Sequence, residues 1–263
     1  MVIAVATGLF AVVGGPSSAD VTAVRGSAFG FHASVSLFGG PANEVGPTPT
    51  VTLPAGGSAT PITATEPSGM AQFGPAVLFE SGELTVSTQG TTGPGGSVTS
   101  SADVTGVDTG PGPFLYDAVH SECTASETGV SGSTTITGGV VETSYDPTTQ
   151  DPVTTQPVPA NPAPGTEISG TLDHVGDSFR IVFNEQITNP DGSLTVNGAH
   201  IYLLGPTAVG DLIIAQSVCG VTATQTTTTL PDGTTTTLPD GATTTLPDGA
   251  TTTTTPGATT TTT

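Results

Sequence analysis

The chain has 263 residues and a formal charge of −20, from 22 carboxylates against Arg25 and Arg180 alone, with no lysine and no tryptophan. That balance repels nucleic acid and anionic membrane surfaces, and the absence of lysine excludes Schiff-base, P-loop and lysine–asparagine isopeptide chemistry. Only 9% of residues are charged, so solubility rests on Ser, Thr, Asn and Gly hydroxyl, amide and backbone groups.

In chain order, residues 1–13 are almost wholly apolar, and Ser17-Ser18-Ala19 before Asp20 places small residues where a signal peptidase cuts. Residues 1–19 therefore read as a signal peptide; the apolar run is shorter than the roughly 20 residues that span a bilayer. No Lys or Arg precedes it, so either the start lies upstream or the signal is a neutral one. Residues 20–221 form one domain, long enough to bury a core.

Its pattern is β throughout. Phe29, Phe31, Ala33, Val35 and Leu37 alternate with Gly30, His32, Ser34 and Ser36, the period of two that marks a strand. Residues 41–75 are rich in Pro and Gly, with a short strand at 50–53. Residues 83–89 and 97–104 flank a glycine-rich loop and predict a hairpin. Further strands are expected at 116–126 and 131–141. Residues 145–166 carry six prolines and no strand pattern, and read as an extended surface loop. Residues 179–186 and 194–204 are joined through Asn189-Pro190-Asp191-Gly192, a strong turn signal, and a last strand follows at 211–218. No segment has helical periodicity with caps. The expected fold is all-β: a single sandwich-like or Greek-key antiparallel domain with long Gly/Pro loops.

Cys123 and Cys219 are the two cysteines, and behind a signal peptide they read as one disulfide. It closes a loop of about 95 residues, worth on the order of 4–5 kcal/mol in the chain-entropy model. From residue 222 to 263 the chain is threonine runs broken by Leu-Pro-Asp-Gly units. Such a tract builds no core and reads as a disordered, extended, O-glycosylated stalk, reaching roughly 120 Å as polyproline II. The chain is thus expected outside the cell or on its surface.

Several stretches resemble the secreted actinobacterial "choice-of-anchor P" proteins. They include Ser27-Ala28-Phe29-Gly30, Pro47-Thr48-Pro49-Thr50-Val51-Thr52-Leu53-Pro54, Gly82-Glu83-Leu84-Thr85-Val86-Ser87-Thr88 and Gly95-Gly96-Ser97-Val98-Thr99-Ser100-Ser101-Ala102. The likeness continues through Ser121-Glu122-Cys123-Thr124-Ala125, Gly132-Ser133-Thr134-Thr135, Asn184-Glu185-Gln186 and Thr195-Val196-Asn197-Gly198-Ala199-His200. It closes on residues 211–220. The resemblance implies an extracellular β domain with a variable C-terminal anchor and no known catalysis. Leu238-Pro239-Asp240-Gly241-Ala242 is superficially similar to a sortase signal, but it lacks threonine at the fourth place and no apolar stop follows.

Candidate chemistry is thin. His120-Ser121-Glu122 matches His-x-Glu of zinc deaminases without their Pro-Cys-x-x-Cys partner; on a strand His120 and Glu122 share a polar outer face. His32, His174 and His200 lack ligand spacing, and His200, amid apolar residues, reads as a core histidine. No Gly-x-Ser-x-Gly elbow occurs. Glu185 with a second acid could serve glycoside hydrolysis, but the only tyrosines are Tyr116, Tyr145 and Tyr202, few rings for a sugar cleft. Asn184, Glu185 and Gln186 instead read as hydrogen-bonding residues that close a strand end. Asp103, Asp108, Asp117, Asp173, Asp177, Asp191 and Asp211 lie near turns, where calcium ligands and turn formers look alike; no Asp-x-Asp-x-Asp-Gly loop gathers them.

The reading is a secreted or cell-surface, non-catalytic structural or adhesive domain, with no cofactor, no metal and no catalytic residue. Its expected partners are the cell envelope or an extracellular glycan or protein. The alternatives are a carbohydrate- or protein-binding module with its site on the Gly/Pro loops, and a hydrolase using Glu185.

Overall fold

The alternation seen from Phe29 to Leu37 becomes, in the computed structural model, part of an 18-residue strand, β1 (Asp20–Leu37). The structure describes residues 20–74, 76–109, 114–146, 148–149, 151–172 and 176–224; the segment read as a signal peptide, the Thr-rich tail beyond Thr224, Asp173 and His174 lie outside them. Among the described residues there are strands and no helix. After β1 come β2 (Asn43–Thr52), β3 (Ser58–Glu66), β4 (Gly69–Phe73), β5 (Ala76–Ser81), β6 (Leu84–Thr91) and β7 (Gly93–Pro94). Next are β8 (Ser97–Asp108), β9 (Phe114–Ser126), β10 (Gly129–Thr137), β11 (Val140–Tyr145) and β12 (Pro152–Pro157). The last four are β13 (Thr166–Leu172), β14 (Asp177–Thr188), β15 (Leu194–Leu204) and β16 (Ala208–Thr224).

These strands make two antiparallel sheets, as the sequence pattern predicts. The seven-stranded sheet has the order β13-β14-β15-β16-β1-β2, with β7 also paired to β1. The nine-stranded sheet is built on β8 and β9. Strands β6 and β5 follow one another along β8, β10 and β11 along β9, and β3, β4 and β12 form its margins. The first and last strands pair along their whole length, from Asp20 opposite Thr224 to Leu37 opposite Ala208.

The predicted hairpins at 83–104 and 179–204 form as β6–β8 and β14–β15. The proline-rich segment departs from its reading as a strandless loop, because Pro152–Pro157 forms β12 beside β11. Its two prolines stand at the strand ends on a sheet margin, where a missing backbone donor is tolerated.

The sheets enclose two apolar clusters. The larger contains Phe31, Phe79, Phe114, Phe179 and Phe183, with Phe31 and Phe79 centred 4.6 Å apart. The smaller surrounds the expected disulfide: Cys123 of β9 and Cys219 of β16 are fully buried, their Cα atoms 5.6 Å apart. That bond joins one sheet to the other. Buried Thr88, Ser100, Ser121 and Ser217 are polar residues enclosed within the same interior, and the Thr88 and Ser100 hydroxyls bond at 2.8 Å.

A crease crosses the seven-stranded sheet. On four neighbouring strands consecutive residues are buried: Ile181 to Asn184, Val196 to Ala199, Ile214-Ala215 and Gly30-Phe31. The register aligns them, since Phe183 opposes Ala199, Ala199 opposes Ile214 and Ile214 opposes Phe31. Asn184 and Ala215 adopt φ of 50° and 55°, a region that side chains other than glycine rarely occupy. Beyond the crease the inward set of residues changes from odd to even in β14, or the reverse in β15, without any slip in pairing.

Candidate functional site

Because the crease inverts the alternation, Glu185 emerges on the outer face of the seven-stranded sheet, among polar side chains of β14, β15 and β16. Its Oε2 accepts hydrogen bonds from Asn197 Nδ2 at 2.7 Å and His200 Nδ1 at 2.6 Å, and its Oε1 accepts one from Tyr202 OH at 2.8 Å. Gln216 Nε2 donates to Asn197 Oδ1 at 2.8 Å, extending the network to β16. The His200 and Tyr202 rings stack 4.0 Å apart, and the Arg180 guanidinium lies 4.3 Å from the Tyr202 centroid.

Burial alone would raise the Glu185 carboxyl, but the bonds from His200, Asn197 and Tyr202 and the His200 charge outweigh it and hold the group below its ordinary value. Burial, followed by the Glu185 carboxylate, pushes the Tyr202 hydroxyl up to about 12. An ionised carboxylate only accepts, so His200 presents Nδ1–H to Glu185; its Nε2 is buried and has no partner among the described residues. This arrangement fixes an imidazole on a carboxylate. Glu185 has no proton to give at neutral pH, so it does not fit the general acid of a glycosidase.

Asn184 and Gln186 point the other way, toward the second sheet. Asn184 Nδ2 donates to Pro162 O at 2.9 Å, and Gln186 Nε2 donates to Gly132 O at 2.9 Å and Asn184 Oδ1 at 3.0 Å. They do form hydrogen bonds, but in mid-strand, since β14 continues to Thr188. Their bonds tie β14 to β10 and to the segment before β13.

His120 and Glu122 share the outer face of the nine-stranded sheet, as strand geometry predicts, with Ser121 buried between them. His120 Nδ1 lies 2.7 Å from Asp103 Oδ1 on β8. That hydrogen bond, the Asp103 charge and Glu122 raise the His120 pKa against its partial burial. Asp177 receives the backbone N–H groups of Thr207 and Ala208, both at 2.9 Å. Asp191 receives the N–H and hydroxyl of Ser193 and lies 3.4 Å from Arg25. These aspartates act as turn and loop formers. Among the described residues no three of His, Cys, Asp and Glu gather as metal ligands would.

One feature was not legible in the sequence. The outer face of the nine-stranded sheet is a pavement of small hydroxyl side chains set in transverse rows. Thr65, Thr85, Asp103, His120 and Thr135 form one row, and Thr63, Ser87, Ser101, Glu122 and Ser133 the next. A third runs Gln89, Thr99, Thr124, Ser131, and there the face opens into a shallow cleft of about 290 Å³ between β8, β9 and β10. Each strand alone showed only scattered Ser and Thr; the register assembles them. No known family model, curated protein or solved structure matches the chain.

Proposed function

We propose that the chain is a secreted or cell-surface, non-catalytic structural or adhesive β domain displayed on its Thr-rich, O-glycosylated tail, in keeping with its resemblance to the choice-of-anchor P proteins. The observation that carries this reading is the pairing of Asp20 with Thr224. The domain starts, and the tail departs, at one end of a strand pair roughly 60 Å long. Every loop at the opposite end is therefore held away from the attachment point. The buried disulfide suits an oxidising exterior, and among the described residues no helix is long and apolar enough to cross a membrane.

A second reading, a glycan- or protein-binding module, draws support from the hydroxyl pavement and its cleft. The hydrolase reading draws less, because the Glu185 oxygens already accept three donors. The test of display is the intact mass of native protein taken separately from culture medium and cell envelope, with and without reductant. The expected result is an envelope-bound species beginning at Asp20, a ladder of hexose increments, and a gain of two hydrogens on reduction. A species found only in the medium and free of sugar overturns the stalk.

A further inference from the structure

We infer that the cleft at the β9–β10 hairpin is a binding site for a neutral hexose unit of a glycan. The inference rests on the binding-module reading and is independent of the stalk. The lining explains the choice of ligand. Ser97, Thr99, Thr124, Ser126, Thr128 and Ser131 line the cleft with hydroxyls, and no charged side chain lines it. Thr124 Oγ1 and Ser131 Oγ lie 2.7 Å apart, and Ser126 Oγ and Thr128 Oγ1 2.8 Å apart. Each hydroxyl offers one donor and two acceptor positions, so these pairs keep spare capacity for a ligand that both donates and accepts. Sugar hydroxyls do both.

The surroundings exclude other ligand classes. A uronate, sulfate or phosphate would meet only hydroxyls, with Glu122 as the next outward residue along β9 and −20 on the chain, so an anion has no counter-charge. A metal ion would find no carboxylate in the lining. An apolar ligand would find no apolar side chain on this face, since Val98, Ala125 and Val130 form one row on the opposite face of the sheet and contribute backbone. Gly129 leaves open space where a side chain would stand, so the hairpin tip does not close the cleft. The cleft also lies at the end from which the tail departs, because Ser97 and Ser126 pair beside β7, which in turn pairs with Asp20 and Val21. An envelope polysaccharide is the surface nearest that end in the display reading.

With no aromatic ring to stack on, the affinity is expected to be weak, a Kd of about 1 mM. The test is methyl NMR of the full chain, titrated with neutral trisaccharides of glucose, mannose and galactose to about 10 mM, ten times that Kd. A uronate trisaccharide serves as the comparator. The expected result is saturable shifts of the Thr99 and Thr124 methyls with at least one neutral sugar and none with the uronate. The double variant Thr124→Val/Ser131→Ala, isosteric on its strands, is expected to weaken binding at least tenfold while keeping the wild-type melting temperature. Binding that moves other methyls, or that survives unchanged in the variant, overturns the cleft and leaves the binding module standing. No shift with any neutral sugar overturns the glycan assignment, and the mass measurement then judges display alone. If that variant misfolds, Ser97→Tyr at the rim replaces it, and unaltered affinity there overturns the cleft equally.

Discussion

Glu185 gathers three donors, from Asn197, His200 and Tyr202, on one carboxylate. Asn197 is 2% exposed, so removing its acceptor leaves a buried amide unsatisfied, and the His200 Nδ1–H and Tyr202 OH lose theirs as well. Glu185→Ala is therefore expected to cost about 2–3 kcal/mol, the penalty for stranding buried polar groups, measured by the shift in urea midpoint. The sign of the pH effect follows from the depressed carboxyl. Its stabilising contribution is complete above the unfolded value of about 4.3 and is lost as pH falls below it through the native value. The acid limb of stability against pH should thus flatten in Glu185→Ala. A variant with the wild-type midpoint and the wild-type acid limb would show that the hub holds nothing together. The sequence pointed to Glu185 but misplaced His200, and the reason is geometric. Counting by two from Leu194 and Val196 puts residue 200 inside; the inward pair Gly198-Ala199 inverts the count and turns His200 out to Glu185. Asn184 and Gln186 are turned inward by the same inversion on β14.

At the scale of strands, regular alternation and turn residues were enough to locate β1, β6, β8, β14, β15 and β16, because half-buried antiparallel strands write their faces into the sequence. Strands β3, β4 and β12 were hidden in segments whose Gly and Pro content signals turns; β4 and β12 pair with the adjacent β5 and β11, whereas β3 finds its partner in β6, past β4 and β5. The crease was hidden for another reason: in any single strand a doubled inward residue looks like noise, and only the aligned register makes it a feature. Gly30 tests whether it is built or incidental. A Cβ there would stand 2.6 Å from Leu84 Cδ2 and 2.8 Å from the Thr48 carbonyl oxygen, which is backbone and cannot rotate away. Gly30→Ala should cost about 1–3 kcal/mol by overpacking and lower the melting temperature. Gly56→Ala, in a loop with nothing near the added methyl, is the matched control and should leave it within error. Equal melting temperatures for the two variants would mean that β1 and β2 do not need their close approach.

For the whole molecule, the end remote from the tail carries a conspicuous cost. Phe38 is 81% exposed and held at φ 52°, followed by Gly39 at φ 70°, in a turn closed by Gly40 N–H donating to Leu37 O at 3.0 Å. Such a turn favours Asn at its first central position, and a bulky residue there costs about 1–2 kcal/mol. Neither packing nor turn chemistry accounts for the phenyl ring. Leu204 and Val209 pair beside it, both more than half exposed, and Phe38 N–H donates to Thr207 O at 2.8 Å, so three apolar side chains share the tip. On a chain of charge −20, an apolar tip is the part able to approach another surface closely. Phe38→Asn should therefore stabilise the fold by about 1 kcal/mol and, in the same protein, shorten retention on a phenyl matrix. Leu204→Ser should shorten retention without the gain in stability. If Phe38→Asn lowers the melting temperature, the ring is packed and serves the fold. If it raises the melting temperature but leaves retention unchanged, the tip is not the surface through which the domain meets apolar partners. Both changes together would mean that the chain carries at that end an apolar residue that costs the fold stability.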